Sequence, residues 1–296
     1  MATTSGTIQL GEPIEQGGVV VAPLFPRMQP RAEYLTFEEA APLGFRISEI
    51  DEHGSVPQLL AENPLDASVL LYDDEELLGA KQNRILNLTV LVASRSQTLI
   101  PVSCVEQGRW SRRSEHFAPA PSTAYPELRR LKAERLAEAP AAPGTAQAEV
   151  WQAVQAKSRR TGVHSATGAQ RDIFVRHERE LRTMRKAFPL ETGQSGVIVA
   201  FGSGRLCLDY VSQPSAFARL YPKLLDGVLL DALEHATAEP PSVVTLEEFV
   251  AAAGAAPRKR QPSIALGEDL RFTTQELIGS GLELDGELLQ LSAFSR

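Results

Sequence analysis

Between Asp73 and Phe117 the chain reads DDEELLGAKQNRILNLTVLVASRSQTLIPVSCVEQGRWSRRSEHF, its densest run of residues able to do chemistry. Lys81, Gln82, Asn83 and Arg84 stand together directly before an apolar segment, with Asn87 just beyond. Lysine and arginine hold phosphate or carboxylate, arginine as a bidentate fork, while the amides offer donor and acceptor to sugar hydroxyls or base edges. That is the equipment of a polar, anionic ligand site. If the run is extended, Lys81 and Asn83 point one way and Gln82 and Arg84 the other, so all four cannot address one ligand. The plain alternative is an edge strand blunted with charge.

Further along, Cys104 and Glu106 share one face of the strand predicted over PVSCVE, and Arg109 and Trp110 follow a turn at Gly108. A thiol, a carboxylate and an arginine together make a nucleophile with its base and an anion clamp. Side chains at i and i+2 stand about 6.6 Å apart along a strand, too far for direct proton transfer without water or reorientation. Cys104 is therefore read either as that nucleophile or as a small buried hydrophobe, and Trp110 either as core or as a stacking platform. Glu75 and Glu76, inside a four-acid run, and Asp209, closing RLCLDY, are candidates for general base or metal ligand against a solvated or capping role. Asp226 and Asp231, five residues apart, do not share a helix face and read as structural.

Several familiar chemistries are excluded. The two cysteines, Cys104 and Cys207, and the five histidines, His53, His116, His164, His177 and His235, contain no CxxC or HxxxH, so no zinc motif is present and a divalent metal would need carboxylate ligands. GSGRLC carries Cys207 and GSGLEL carries Leu284 where a dinucleotide-binding fingerprint needs glycine. There is no GxxxxGK[ST], and neither Ser195 nor Ser203 has the flanking glycines of a nucleophile elbow.

The elements that must position these residues are legible in outline. From Gly17 to Val105 short apolar runs between turn residues predict strands: GVVVAPLF, GFRISEI, VPQLLAEN, ASVLLY, ILNLTVLV and TLIPVSCVE. Two stretches there read as helical: Thr36 to Leu43, capped by Thr36 and stopped by Pro42, and Glu75 to Leu78. Pro126 opens a helix over PELRRLKAERLAEA. EAPAAPGTAQ is a linker or loop, and two more helices follow, the first stopped by Gly162, the second striped by Ile173, Val175, His177, Leu181 and Met184. SGVIVAFGSGRLCLDYV predicts a hairpin about Gly202 to Gly204, helices resume at PSAFARLYPKLLDGVLLDALEHA and at TLEEFVAAAG with Thr245 as cap, and the chain closes in strands about Asp285 and Gly286.

Strands at both ends of a helical middle, with no sustained strand-helix-strand alternation, predict an α+β fold. Its expected form is a mostly antiparallel sheet from the N-terminal third and the C-terminal strands, with the helices as a layer. One interleaved domain is expected over 17–296, comprising a β-rich part 17–117, a basic helical part 118–190 and a closing part 191–296, with 1–16 poorly ordered.

The 296 residues are 43% hydrophobic and 23% charged, the composition of a soluble globular protein. No apolar stretch reaches the roughly 18 residues of a membrane span and the N-terminus lacks a secretory pattern, so a cytoplasmic location without membrane contact is expected. The net charge of −7 conceals a basic middle. Residues 109–186 carry 16 Lys and Arg against 8 Asp and Glu, between acidic flanks. These helices (126–186) either neutralise the flanks or dock an acidic protein partner, and with no interleaved aromatics nucleic acid is disfavoured.

EELLGAKQNRILN and IPVSCVEQGRW, with Ser114 and Phe117 behind, together resemble the signature of the ARPP family, the ADP-ribosylglycohydrolase- and rhodanese-phosphatase-superfamily-associated proteins. PLFPR, YLTFEEA, VPQLLAEN, AEVWQAV, SGVIVAFGSGRLCLDY, PKLLDGVLLDAL and the closing strands resemble it too, so the likeness covers nearly the whole chain. It implies processing of ADP-ribose or another NAD-derived nucleotide by a hydrolase, in which Lys81 with Arg84 or Arg109 holds phosphate, Gln82, Asn83 and Asn87 read hydroxyls or base, and Glu75 or Glu106 is base or metal ligand, with Cys104 as the alternative nucleophile. The same site in a non-enzymatic sensor is the other implication. One position departs from the family: Asp74 stands where glycine usually precedes the first glutamate.

Overall fold

The structure, a computed structural model, describes residues 7–51, 54, 55, 57–138, 147–235 and 243–296. His53 and nearly all of the linker EAPAAPGTAQ lie outside the described residues. In chain order the elements begin with strands β1 (Ile8–Leu10), β2 (Ile14–Gln16), β3 (Val19–Pro26) and β4 (Tyr34–Thr36), the short helix α1 (Phe37–Ala40), then β5 (Arg46–Ser48), β6 (Gln58–Asn63) and β7 (Ser68–Leu71). Next come β8 (Glu75–Gly79), β9 (Arg84–Leu86), β10 (Val90–Val92), β11 (Ser96–Cys104), β12 (Phe117–Thr123) and helices α2 (Pro126–Glu138), α3 (Gln147–Arg160) and α4 (Gln170–Arg185). The chain ends in β13 (Gly196–Phe201), β14 (Arg205–Val211), α5 (Pro214–Ala232), α6 (Val243–Ala255), β15 (Lys259–Pro262), β16 (Glu268–Thr273), β17 (Leu277–Leu284) and β18 (Glu287–Ser295). The fold is α+β with mostly antiparallel sheets; the β4–β7 pair is parallel.

Contacts group the chain into two compact units, Met1–Ala32 with Glu180–Gln261 and Gly267–Arg296, and Glu33–Arg179 with Pro262–Leu266. The first unit holds a nine-stranded sheet ordered β1-β3-β13-β14-β18-β17-β16-β15, with β2 also on β3. Here the N-terminal strands meet the C-terminal ones through the β13–β14 hairpin. Its turn is glycine-dependent, since Gly202 and Gly204 both have positive φ. Every residue of β13 is buried, so both faces are covered; α6 seats Leu246, Phe249 and Ala253 among Ile198, Ala200 and Leu208. The N-terminal stretch expected to be poorly ordered supplies β1 and β2. Helix α6 opens two residues before Thr245, which lies inside its first turn rather than at the cap.

The second unit holds a three-stranded sheet, β10-β7-β4, and a six-stranded one, β12-β8-β9-β11-β6-β5. Phe37, Phe45, Leu59, Val69, Leu77, Leu86, Val90, Ile100 and Val102 form its core. Each such burial removes apolar surface worth roughly 1.5–3 kcal/mol. ILNLTVLV is split between β9 and β10, which lie in different sheets. Glu75 to Leu78 is strand, not helix: cross-strand pairing with β9 and β12 overrides a four-residue helical preference. APAPST after Phe117 is the edge strand β12, where prolines are tolerated because one side of the ladder is open. In α4 the buried apolar side chains are Ile173, Phe174 and Leu181, whereas Val175 is exposed.

Thr36 closes a capping box on α1, accepting from Glu39 N–H at 3.3 Å while Glu39 Oε2 accepts Thr36 N–H at 3.0 Å. Thr36→Ala is expected to lower the unfolding free energy by about 1 kcal/mol, read as a shift in denaturant midpoint at constant slope.

Candidate functional site

All four members of the acid run are buried rather than solvated, and each has a reason. Asp74 takes φ +67, the left-handed conformation that glycine adopts freely and that short Asp and Asn side chains tolerate. Its carboxylate is fixed there by Arg129 Nε at 3.2 Å and by Lys132, both on α2. An aspartate here thus keeps the left-handed turn and adds a buried ion pair. Asp73 lies 3.5 Å from the same lysine. Other basic residues of the middle are held similarly within the unit, Arg135 by Glu138 and Glu149, and Arg160 by Glu127.

Register fixes which of the remaining groups can meet. Leu77 pairs with Arg84, and Arg84 with Cys104, so these share one sheet face; Glu76, Ile85 and Ser103 share the other. KQNR itself is not extended. Gly79 at φ +122 and Ala80 at φ +38 turn the chain, and only Arg84 joins a strand. A Cβ at Gly79 would run into the Ser114 hydroxyl, which accepts Ala80 N–H at 3.0 Å and donates to His116 O at 2.7 Å. The alternation argument against a shared site therefore fails, and Gln82, Asn83 and Arg84 all address the segment Cys104–Trp110.

Glu106 is the centre of that meeting. Its Oε2 accepts Arg109 Nη2 at 2.6 Å and Asn83 N–H at 3.0 Å, and its Oε1 accepts Thr167 Oγ1 at 2.9 Å. Burial raises its pKa, but Arg109, the Asn83 amide and Thr167 outweigh that and hold it below the ordinary glutamate value. Arg109 donates further to Asn83 Oδ1 at 3.1 Å and to the carbonyls of Ala80 and Ser111 at 2.8 and 3.0 Å. These two residues clamp the turn; an ionised carboxylate with both oxygens occupied is a poor proton acceptor.

On the face of Arg84, Gln82 Oε1 accepts both Arg84 Nη1 at 2.6 Å and the Cys104 thiol at 3.0 Å. Gln147 completes the adjacent ladder with its side-chain amide, accepting Cys104 N–H at 2.7 Å and donating to Cys104 O at 2.8 Å. Arg84 is fully buried, yet its Nε and Nη2 make no hydrogen bond; Glu49 Oε1 stands 4.0 Å from Nη2, and Glu49 Oε2, also buried, has no partner. Beside Arg84 lies Trp110, 49% exposed and so not core, with its ring centroid 5.3 Å from Lys81 Nζ and 5.7 Å from Arg84 Cζ. Both cations lie within cation–π distance of the ring.

On the opposite face Glu76 is fully buried. Burial pushes its carboxyl up to about 7, against the lowering effects of Ser122, Arg171 and Gln170. Ser122 Oγ donates to Oε2 at 2.8 Å and Gln170 Nε2 at 3.4 Å, while Oε1 has no partner. Glu75 braces the backbone by accepting Tyr72 N–H at 3.3 Å, and Asn87 accepts the Ser103 hydroxyl at 2.8 Å. Asp209 belongs to the first unit, on β14, where Ser292 donates to it at 3.0 Å. Glu49, Gln147, Thr167 and Gln170 were not marked by any motif; Glu49 simply closes the apolar run GFRIS. Among the described residues no group of three or more His, Cys, Asp and Glu is arranged to hold a metal, and no helix is long and apolar enough to cross a membrane.

Residues 7–294 match the family model described as the ARG and Rhodanese-Phosphatase-superfamily-associated Protein domain. No curated protein and no solved structure matches significantly.

Proposed function

The chain belongs to the ARG and Rhodanese-Phosphatase-superfamily-associated Protein domain family, and on that premise we propose that it is a hydrolase acting on ADP-ribose or a related nucleotide, with its ligand site at Lys81, Arg84, Glu49 and Trp110. The observation that carries this reading is the Arg84 guanidinium, wholly buried with two nitrogens lacking hydrogen bonds, next to Glu49, whose Oε1 stands 4.0 Å away and whose buried Oε2 also lacks a hydrogen bond. Leaving buried polar groups unmatched disfavours the folded state by roughly 1–3 kcal/mol each, and ligand sites are where such groups are retained. Lys81 and Arg84 supply charge for a diphosphate, and the exposed indole supplies a face for the base. Displacement of the Trp110 ring opens the cations to the ligand. Glu106 and Arg109 shape the turn that carries Lys81 and Arg84. Cys104, fully buried and hydrogen-bonded to Gln82, is assigned to packing.

The test is titration with ADP-ribose, its phosphorylated forms and NAD, with and without divalent cations, followed by mass spectrometry of products and by fluorescence. In a Trp151→Phe background Trp110 is the remaining tryptophan, and its emission is expected to change saturably on binding. Lys81→Ala is expected to weaken binding roughly tenfold to a hundredfold, the loss of one charge-assisted contact. Binding unaffected by Lys81→Ala with Trp110 emission unchanged would move the ligand elsewhere. Saturable binding without product would make the protein a sensor.

A further inference from the structure

Resting on that reading, we propose that Glu49 is the catalytic carboxylate of the site, a general base for hydrolysis at phosphorus in a nucleotide or nucleoside-diphosphate ligand. Neither its spacing nor any motif singles it out; the geometry does. Its side chain is 1% exposed, and its two oxygens are differently placed. Oε1 accepts Lys81 N–H at 3.4 Å and faces Arg84 Nη2 at 4.0 Å, whereas Oε2 has no hydrogen-bond partner. Oε2 and the Lys81 ammonium converge on one small volume beside Gly54: a Cβ built there would stand 3.3 Å from each. Gly54, at φ +77, suits glycine by conformation and leaves that volume to the two side chains.

The other acids of this unit near the turn are excluded for this role by their contacts. Glu106 has both oxygens engaged by Arg109, Asn83 and Thr167, Glu75 braces the Tyr72 amide, and Glu76 stands on the opposite sheet face. Glu49 alone among these lies near both cations, 4.0 Å from Arg84 Nη2 and sharing with the Lys81 ammonium the volume beside Gly54, and its Oε2 makes no hydrogen bond. In the step assigned to it, Oε2 takes a proton from a water whose oxygen bonds to phosphorus. The bond from phosphorus to the leaving oxygen breaks, with its electron pair remaining on that oxygen. The proton then passes from Glu49 to that oxygen, which restores the carboxylate. Lys81 and Arg84 offset the charge that accumulates on the phosphoryl oxygens.

The experiment is steady-state hydrolysis of ADP-ribose by the full chain and by Glu49→Gln, with thermal melting of both. Glu49→Gln is expected to lose kcat by at least about a hundredfold while KM moves less than threefold, the range for loss of a general base, with the melting temperature lowered because the charge beside buried Arg84 is gone but the variant still folded at the assay temperature. In water enriched in ¹⁸O the label is expected in the phosphate product. Because a variant can fail by misfolding, Glu49→Asp serves as a second probe: folded, it is expected to recover part of kcat. Retained kcat in Glu49→Gln, or label at the ribose instead of phosphate, would overturn the assignment while leaving the ligand site in place. Wild-type binding without turnover would also overturn it, and absence of both binding and turnover would overturn the ligand site as well.

Discussion

Arg109→Ala is expected to lower the unfolding free energy by about 3–5 kcal/mol, the usual consequence of removing one partner of a buried ion pair. The magnitude follows from what remains. Glu106, 1% exposed, would keep only the Asn83 amide and the Thr167 hydroxyl, and Asn83 Oδ1 and the carbonyls of Ala80 and Ser111 would each lose a donor. Glu106→Gln in the same chain removes the uncompensated charge, so the double variant is expected to recover part of the loss, and the non-additivity of the cycle measures the pair. Guanidinium melts of the four proteins supply the numbers. A loss below 1 kcal/mol for Arg109→Ala would show that water reaches the carboxylate and that the clamp is dispensable. The same substitution is expected to abolish ADP-ribose binding, because Lys81 and Arg84 flank the turn that Arg109 holds from inside.

The route from sequence to this clamp was partly open. Residue types mark Lys81 to Arg84 and Cys104 to Trp110 as two polar segments without showing that they meet; adjacent strands bring them together, with Arg84 opposite Cys104. Hairpins were visible wherever apolar runs flanked glycine, as at Gly202 and at Asp285 with Gly286, because their information is local. What stayed hidden depended on long-range pairing. Glu75 to Leu78 carries helix formers, yet it is a strand because β9 and β12 need it. The acid run looked solvated because its countercharges, Arg129 and Lys132, arrive from a helix more than fifty residues later. Glu49 carried no signal at all, being one acid at the end of a short strand-like segment whose neighbours in space are set by the turn at Gly79.

Glu76→Gln is expected to stabilise the protein at pH 8 by about 3 kcal/mol and to leave it nearly unchanged near pH 4. The carboxyl titrates at about 7 in the folded chain against an ordinary 4.5, chiefly because it is wholly buried. Between these values the folded state binds the proton more tightly than the unfolded state does, so this group's contribution is fully present below about 4.5, falls as pH rises, and is lost above about 7. The groups facing it are Ser122 on β12, Gln170 and Arg171 on α4, and Glu106 beyond the end of β11. Of these, Arg171 favours the charged form and Glu106 opposes it, while Ser122 and Gln170 donate to Oε2 and leave Oε1 unmatched. Glutamine keeps the shape without the ionisation. Glu106 contributes with the opposite sign, since its pKa is lowered and its stabilisation is lost as pH falls through acid values. For that reason the quantity to measure is the difference between wild type and Glu76→Gln in urea midpoint from pH 4 to 8.5, where all other titrations cancel to first order. A difference that does not change with pH would place the Glu76 carboxyl in contact with water and remove the basis for its raised pKa.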